Sequence, residues 1–103
     1  MKDNMNSDLC IGIASTKDSL EIAALEPGKP AVVMKFPATG MGIEGIRVFL
    51  SGYGEPVRMA VAGVAALSLA LNLGNACGRE TFIVSSVIAD QAVALARYAE
   101  HAA

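Results

Sequence analysis

The sequence predicts a single mixed α/β domain: a three-stranded antiparallel meander, then two helix crossovers to parallel strands, then a closing helix. Three observations carry that expectation. An apolar run is broken only by the polar turn at residues 16–19 and then resumes with Leu20, Ile22 and Ala24 alternating against Glu21, which is a hairpin. Its first strand is apolar on both faces, with Leu9, Ile11 and Ile13 on one and Cys10 and Ala14 on the other, the pattern of a central strand covered by helices on both sides. Downstream, short β-rich runs alternate with segments whose apolar residues recur at helical spacing.

After the hairpin, Glu26-Pro27-Gly28-Lys29 is a turn, with Pro where φ is near −65° and Gly where φ must be positive. Residues 31–36 form a third strand, with Val32, Met34 and Phe36 on one face and Val33 and Lys35 on the other; Pro37 ends it. Thr39 caps a helix over residues 40–51, where Ile43, Ile46, Phe49 and Leu50 share a stripe and Glu44 and Arg47 face solvent. Gly40, Gly42 and Gly45 each weaken this helix by up to ~1 kcal/mol relative to Ala, unless they permit close packing on the sheet.

Residues 57–62 read as a short apolar fourth strand, with Gly63 where the chain turns into a second helix over residues 64–75. Ser68, Asn72, Asn75 and Arg79 mark a polar edge on that helix, and most of the rest of it is expected to be buried. Residues 81–85 make a fifth strand. Ser86 caps a last helix reaching His101, with Ile88, Ala92, Leu95 and Ala99 inward and Asp90, Ala94, Arg97 and His101 outward. Connection rules leave few closures for this order, and it is the plan of the ribonuclease H-like fold with a five-stranded mixed sheet. A flavodoxin-like sheet needs a helix between the first strands, where none fits.

Composition bounds the function. The 103 residues are enough for one domain, expected over residues 9–103, with residues 1–8 a loose polar extension. Hydrophobic residues reach 53% and charged residues only 17%, which excludes a disordered chain and points either to heavily covered strands or to apolar surface hidden in an oligomer. A net charge of −2, with eight scattered Lys and Arg, cannot build a phosphate-tracking stripe, so nucleic acid is a possible partner, through a local basic patch, that the net charge does not support. The longest apolar stretch, residues 59–73, is too short for a membrane span. Cys10 and Cys77 lack metal-ligand spacing and disulfide density, so both read as reduced thiols of a soluble cytoplasmic protein. His101 stands alone as a solvated side chain, and the sequence holds no Ser-His-Asp, Cys-His or phosphate-loop arrangement.

Three stretches resemble a known family. Gly12-Ile13-Ala14-Ser15-Thr16-Lys17-Asp18-Ser19-Leu20 is similar to the opening strand and turn of DEDD-type, RuvC-like transposases of bacterial insertion sequences, where the pattern is Gly-Ile-Asp-Val-Ser-Lys-Asp-Thr-Leu. Val57-Arg58-Met59-Ala60-Val61-Ala62-Gly63 resembles that family's fourth strand, ending Glu-Ala-Thr-Gly, and Gln91-Ala92-Val93-Ala94-Leu95-Ala96-Arg97-Tyr98-Ala99 resembles its last helix, Asp-Ala-x-x-Leu-Ala-x-Tyr-Ala. The resemblance implies a ribonuclease H-like catalytic domain whose four carboxylates hold two divalent metals at the scissile phosphate. Placed residue by residue, those acids fall on Ala14, Ala60, Ile88 and Gln91, so all four are missing and no metal or cofactor is expected. Asp90 is close, but a one-residue offset on a helix turns it by ~100°.

The resemblance therefore implies a catalytically inactive transposase-like domain acting as a binding or self-association module. One alternative is a nuclease or DNA-binding remnant with a site rebuilt by another chain or from Asp18, Glu21 and Asp90. The other is a small-ligand module of actin-like ATPase type, in which Ala14 again replaces the acid. Lys17 and Asp18 otherwise read as turn residues. A two-fold homodimer is expected, through the edge of the third strand or through the glycine-interrupted helix. The helix is favoured, because Lys35 is the kind of charge that blocks edge pairing.

Overall fold

The structure is a computed structural model, and it describes residues 9–53, 58–74, 80–85 and 91–101. The expectations placed on residues 1–8, Cys77, Ser86, Ile88 and Asp90 lie outside them. Strands β1 (Cys10–Ser15), β2 (Ser19–Leu25) and β3 (Val32–Pro37) lead into helix α1 (Gly40–Ser51). Strand β4 (Arg58–Gly63) follows, then α2 (Ala66–Leu69), which continues as a π-helical turn over Ala70–Gly74. Strand β5 (Glu80–Ile83) and helix α3 (Ala92–His101) complete the described chain. The five strands form one mixed sheet in the order β3-β2-β1-β4-β5. The pairs β1–β2 and β2–β3 are antiparallel, and β1–β4 and β4–β5 are parallel.

The two-sided apolar pattern of β1 does what it predicts, because β1 lies at the centre and its two faces enter two different cores. On one face Ile11, Ile13, Leu20, Ile22, Met59 and Val61 pack against Ile46 and Leu50 of α1 and against Leu69 and Leu73. On the other, Cys10, Ala60 and Ala62 meet Leu95 and Ala99 of α3, while Ala23 and Leu25 meet Ala92 and Ala96. The second core is built of small side chains, so α3 sits very close to the sheet. A Cβ on Gly12 would lie 2.1 Å from the Ala92 carbonyl oxygen and 2.3 Å from the Ala96 nitrogen, and only glycine fits there.

Thr39 caps α1 as expected, its hydroxyl accepting the Gly42 amide at 3.2 Å. Two glycines of that helix permit close packing, since a Cβ on Gly42 would collide with the Pro37 carbonyl oxygen and one on Gly45 would come 2.7 Å from the Phe36 ring, whereas Gly40 faces open space. Pro37 ends β3 as its last residue, paired opposite Ser19. The next amide, that of Ala38, donates inward to the Asp18 carbonyl at 3.2 Å. Because amide direction alternates along a strand, position 37 points away from β2, and a missing N–H costs nothing on that side.

The second helix departs most from expectation. It is regular only over Ala66–Leu69 before the π turn, and Leu67 and Leu71 are 64% and 54% exposed rather than buried. Of its expected polar edge, Ser68 and Asn72 are exposed and joined, the Asn72 side-chain amide donating to the Ser68 carbonyl at 2.8 Å and lying 3.2 Å from its hydroxyl, while Asn75 and Arg79 lie outside the described residues. That carbonyl is the one Asn72's own backbone amide takes in an α-helix, so the side chain competes with the helical ladder where the chain widens to a π turn.

Candidate functional site

The C-terminal ends of the parallel strands β1, β4 and β5 open on a crevice of about 770 Å³, bordered by Ala14, Thr16, Lys17, Ala62, Val64, Ile83 and Ser85 among others. Such ends are where ligands bind in open α/β sheets. One buried polar side chain shapes the floor. Ser15 Oγ donates to the Ala62 carbonyl at 2.9 Å and accepts the Ala65 amide at 3.0 Å, and the Ser15 carbonyl accepts the Val64 amide at 3.3 Å. These bonds tie the end of β1 to the β4–α2 turn. The turn is possible because Gly63, opposite Ser15 in the ladder, has φ of 102°; a Cβ there would lie 1.8 Å from the Ser15 carbonyl oxygen.

The β1–β2 turn at the rim is closed upon itself. Thr16 Oγ1 accepts the amides of Asp18 at 3.2 Å and Ser19 at 3.0 Å, and the Thr16 amide donates to the Ser19 carbonyl at 2.9 Å. The amides of Thr16, Asp18 and Ser19 are thus bonded within the turn itself. Lys17, exposed at the rim, brings one cation to a lining that is otherwise mainly apolar.

Of the positions singled out by the transposase resemblance, Ala14 and Ala60 lie on the sheet face that packs α3, with Ala14 at the end of β1 where it also borders the crevice, and Ile88 lies outside the described residues. Ala14 is half-buried there, opposite Glu21 on β2 and Ala62 on β4. Ala60 is 0% exposed, sits opposite Gly12, and packs in the core that contains Leu95 and Ala99. Gln91 is exposed just before α3, its carbonyl accepting the Leu95 amide at 2.9 Å. The structure therefore places Ala14 and Ala60 diagonally on one face of adjacent strands, in or against the cluster that holds Leu95 and Ala99 of α3.

Glu21, read from sequence as an alternating residue and as one member of a rebuilt acidic site, has a more specific place. Its Oε1 accepts the backbone amide of Ala92, the first residue of α3, at 3.1 Å. A carboxylate at a helix N-terminus satisfies an otherwise orphaned amide and lies at the positive end of the helix dipole. Asp18 is exposed in the hairpin turn. Among the described residues, no three His, Cys, Asp or Glu side chains come together at metal-binding range. The donor set at Ala14, Ala60 and Gln91 is two methyl groups and one amide, which does not fit a pair of hard divalent cations.

No helix among the described residues is long and apolar enough to cross a membrane. In comparisons with known proteins, the chain matches no family model and no curated protein sequence.

Proposed function

We propose that the chain is a ribonuclease H-like domain related to the catalytic domain of DEDD-type insertion-sequence transposases, catalytically silent and acting as a self-association module. The observation that carries this reading is the fate of the ground under α3. The two strand positions aligned with that family's acids meet on one sheet face, where they bear methyl groups, and Ala60 is fully enclosed. Glu21, the carboxylate opposite Ala14, is committed to the N-terminus of α3. Among the described residues, none there is placed to neutralise charge developing on a phosphate, which is the main task of such a site.

The strand order β3-β2-β1-β4-β5, with β2 antiparallel to its neighbours, supports the fold assignment. The net charge of −2 supports a protein partner over a nucleic-acid backbone. The test has two arms on the full chain. Incubation with branched and duplex DNA in magnesium or manganese should give no cleavage, and sedimentation across the micromolar range should give a mass above the monomer. Metal-dependent cleavage lost in Glu21→Gln would overturn the silent assignment, and a monomer throughout would overturn the self-association.

A further inference from the structure

The edge of the sheet at β3 is open. Val32, Val33 and Met34 are 42%, 43% and 44% exposed, and β2 is the one strand paired with β3 among the described residues. The inward amide of Ala38 sets the phase of the strand: positions 32, 34 and 36 point their amides and carbonyls to β2, and positions 33, 35 and 37 point theirs outward. The edge therefore presents donor and acceptor at Val33 and at Lys35, with the proline that lacks a donor at its end.

We infer that a second copy of this chain pairs antiparallel along β3, on a two-fold axis through Met34. This rests on the self-association reading above and names its surface. In that register Val33 faces the second copy's Lys35, and Lys35 faces the second copy's Val33. Each of these pairs exchanges two backbone hydrogen bonds. The side chains agree with the backbone. On the α1 side, Met34 meets Met34 and Val32 meets Phe36, an entirely apolar seam.

On the other side each Lys35 lies over a valine rather than over another lysine. Its stem covers apolar surface while the ammonium stays in water, since among the described residues α3 packs chiefly on β1, β2 and β4. A register centred on Lys35 would set like charges face to face, which disfavours it. The opposite edge is a poorer candidate, because β5 has four residues and opens with Glu80, held by Arg58 at 3.4 Å.

Helix α1 extends the same surface. Met41, Gly45 and Val48 fall on one stripe at helical spacing, and Gly45 abuts Phe36 of β3, so Met41 and Val48, 84% and 71% exposed, flank the seam. The strand edge and the glycine-bearing helix then belong to one interface.

The experiment is sedimentation equilibrium on the full chain, with cysteine cross-linking as a register gauge. Met34→Lys places two cations against each other on the axis and should weaken the dimer by about tenfold or more, while Met34→Leu keeps it. Val33→Pro should also disrupt it by removing an outward amide that the β2–β3 ladder does not use, with circular dichroism reporting the fold. Residues facing across the axis lie about 4.5 Å apart at Cα, within disulfide range, so Met34→Cys should cross-link under mild oxidation above the parent's background. From strand spacing and rise, two copies of residue 33 lie about 8 Å apart, so Val33→Cys should not cross-link. A dimer that survives Met34→Lys, with no Met34→Cys cross-link, overturns the β3 pairing while self-association stands. A monomeric parent overturns both.

Discussion

Glu21 and Ala92 are joined by a hydrogen bond of 3.1 Å, from the first backbone amide of α3 to a carboxylate on β2, across 71 positions of sequence. This contact links the opening hairpin to the closing helix and fixes where α3 begins over β1. A charge-assisted bond at a helix N-terminus contributes on the order of 1–3 kcal/mol. Glu21→Ala should therefore lower stability by about 2 kcal/mol, and Glu21→Gln, which keeps an acceptor but no charge, by about 1 kcal/mol. Urea unfolding measures both. Equal midpoints for parent and Glu21→Ala would show that the contact does not hold the helix.

Ser15 supplies the next expectation. Replacing it with alanine leaves the Ala62 carbonyl and the Ala65 amide without their side-chain partner at a buried site, and the cost should be about 2 kcal/mol. Thr16→Ala removes a hydroxyl that accepts two amides in an exposed turn, where water replaces it, and should cost about 0.5 kcal/mol. The comparison isolates burial as the cause. If Thr16→Ala proves the more damaging in chemical denaturation, the hairpin and not the β4–α2 staple is the stabilising element.

Two glycines separate close packing from chain flexibility. Gly12→Ala drives a methyl into the backbone of α3 and should destabilise by about 3 kcal/mol or prevent folding. Gly40→Ala, at the first position of α1 with nothing within 4 Å of the added carbon, should be neutral or stabilising by up to about 1 kcal/mol. Thermal melts monitored by circular dichroism report both. A tolerated Gly12→Ala would mean that α3 sits farther from the sheet than described.

Much of this architecture is legible in the residues, and the places where it is not have physical causes. The two-sided apolar run of Cys10 to Ala14 announces a central strand, and Thr39 with the stripe through Ile46 and Leu50 marks α1 to its ends. The second helix is less legible, because its Leu and Ala content does not reveal that one sheet face covers only half of it, leaving Leu67 and Leu71 in solvent. Helical spacing likewise carries no sign that the Asn72 side chain reaches the Ser68 carbonyl. Ser15 looks like any small residue at a strand end, and its two bonds depend on residues 47 and 50 positions away. Alignment locates Ala14 and Ala60 on one face, but the helix-capping role of Glu21 needs the tertiary placement of α3.

Calorimetric titration of manganese into the native protein tests most directly the proposal that the sheet face under α3 carries no metal chemistry. The expected result is no saturable heat up to millimolar metal and no rise in melting temperature, since a ligand that binds the native state must stabilise it. Saturable binding at one or two ions per chain, abolished by Glu21→Gln or Asp18→Asn, would contradict the assignment of this fold to a silent self-association module.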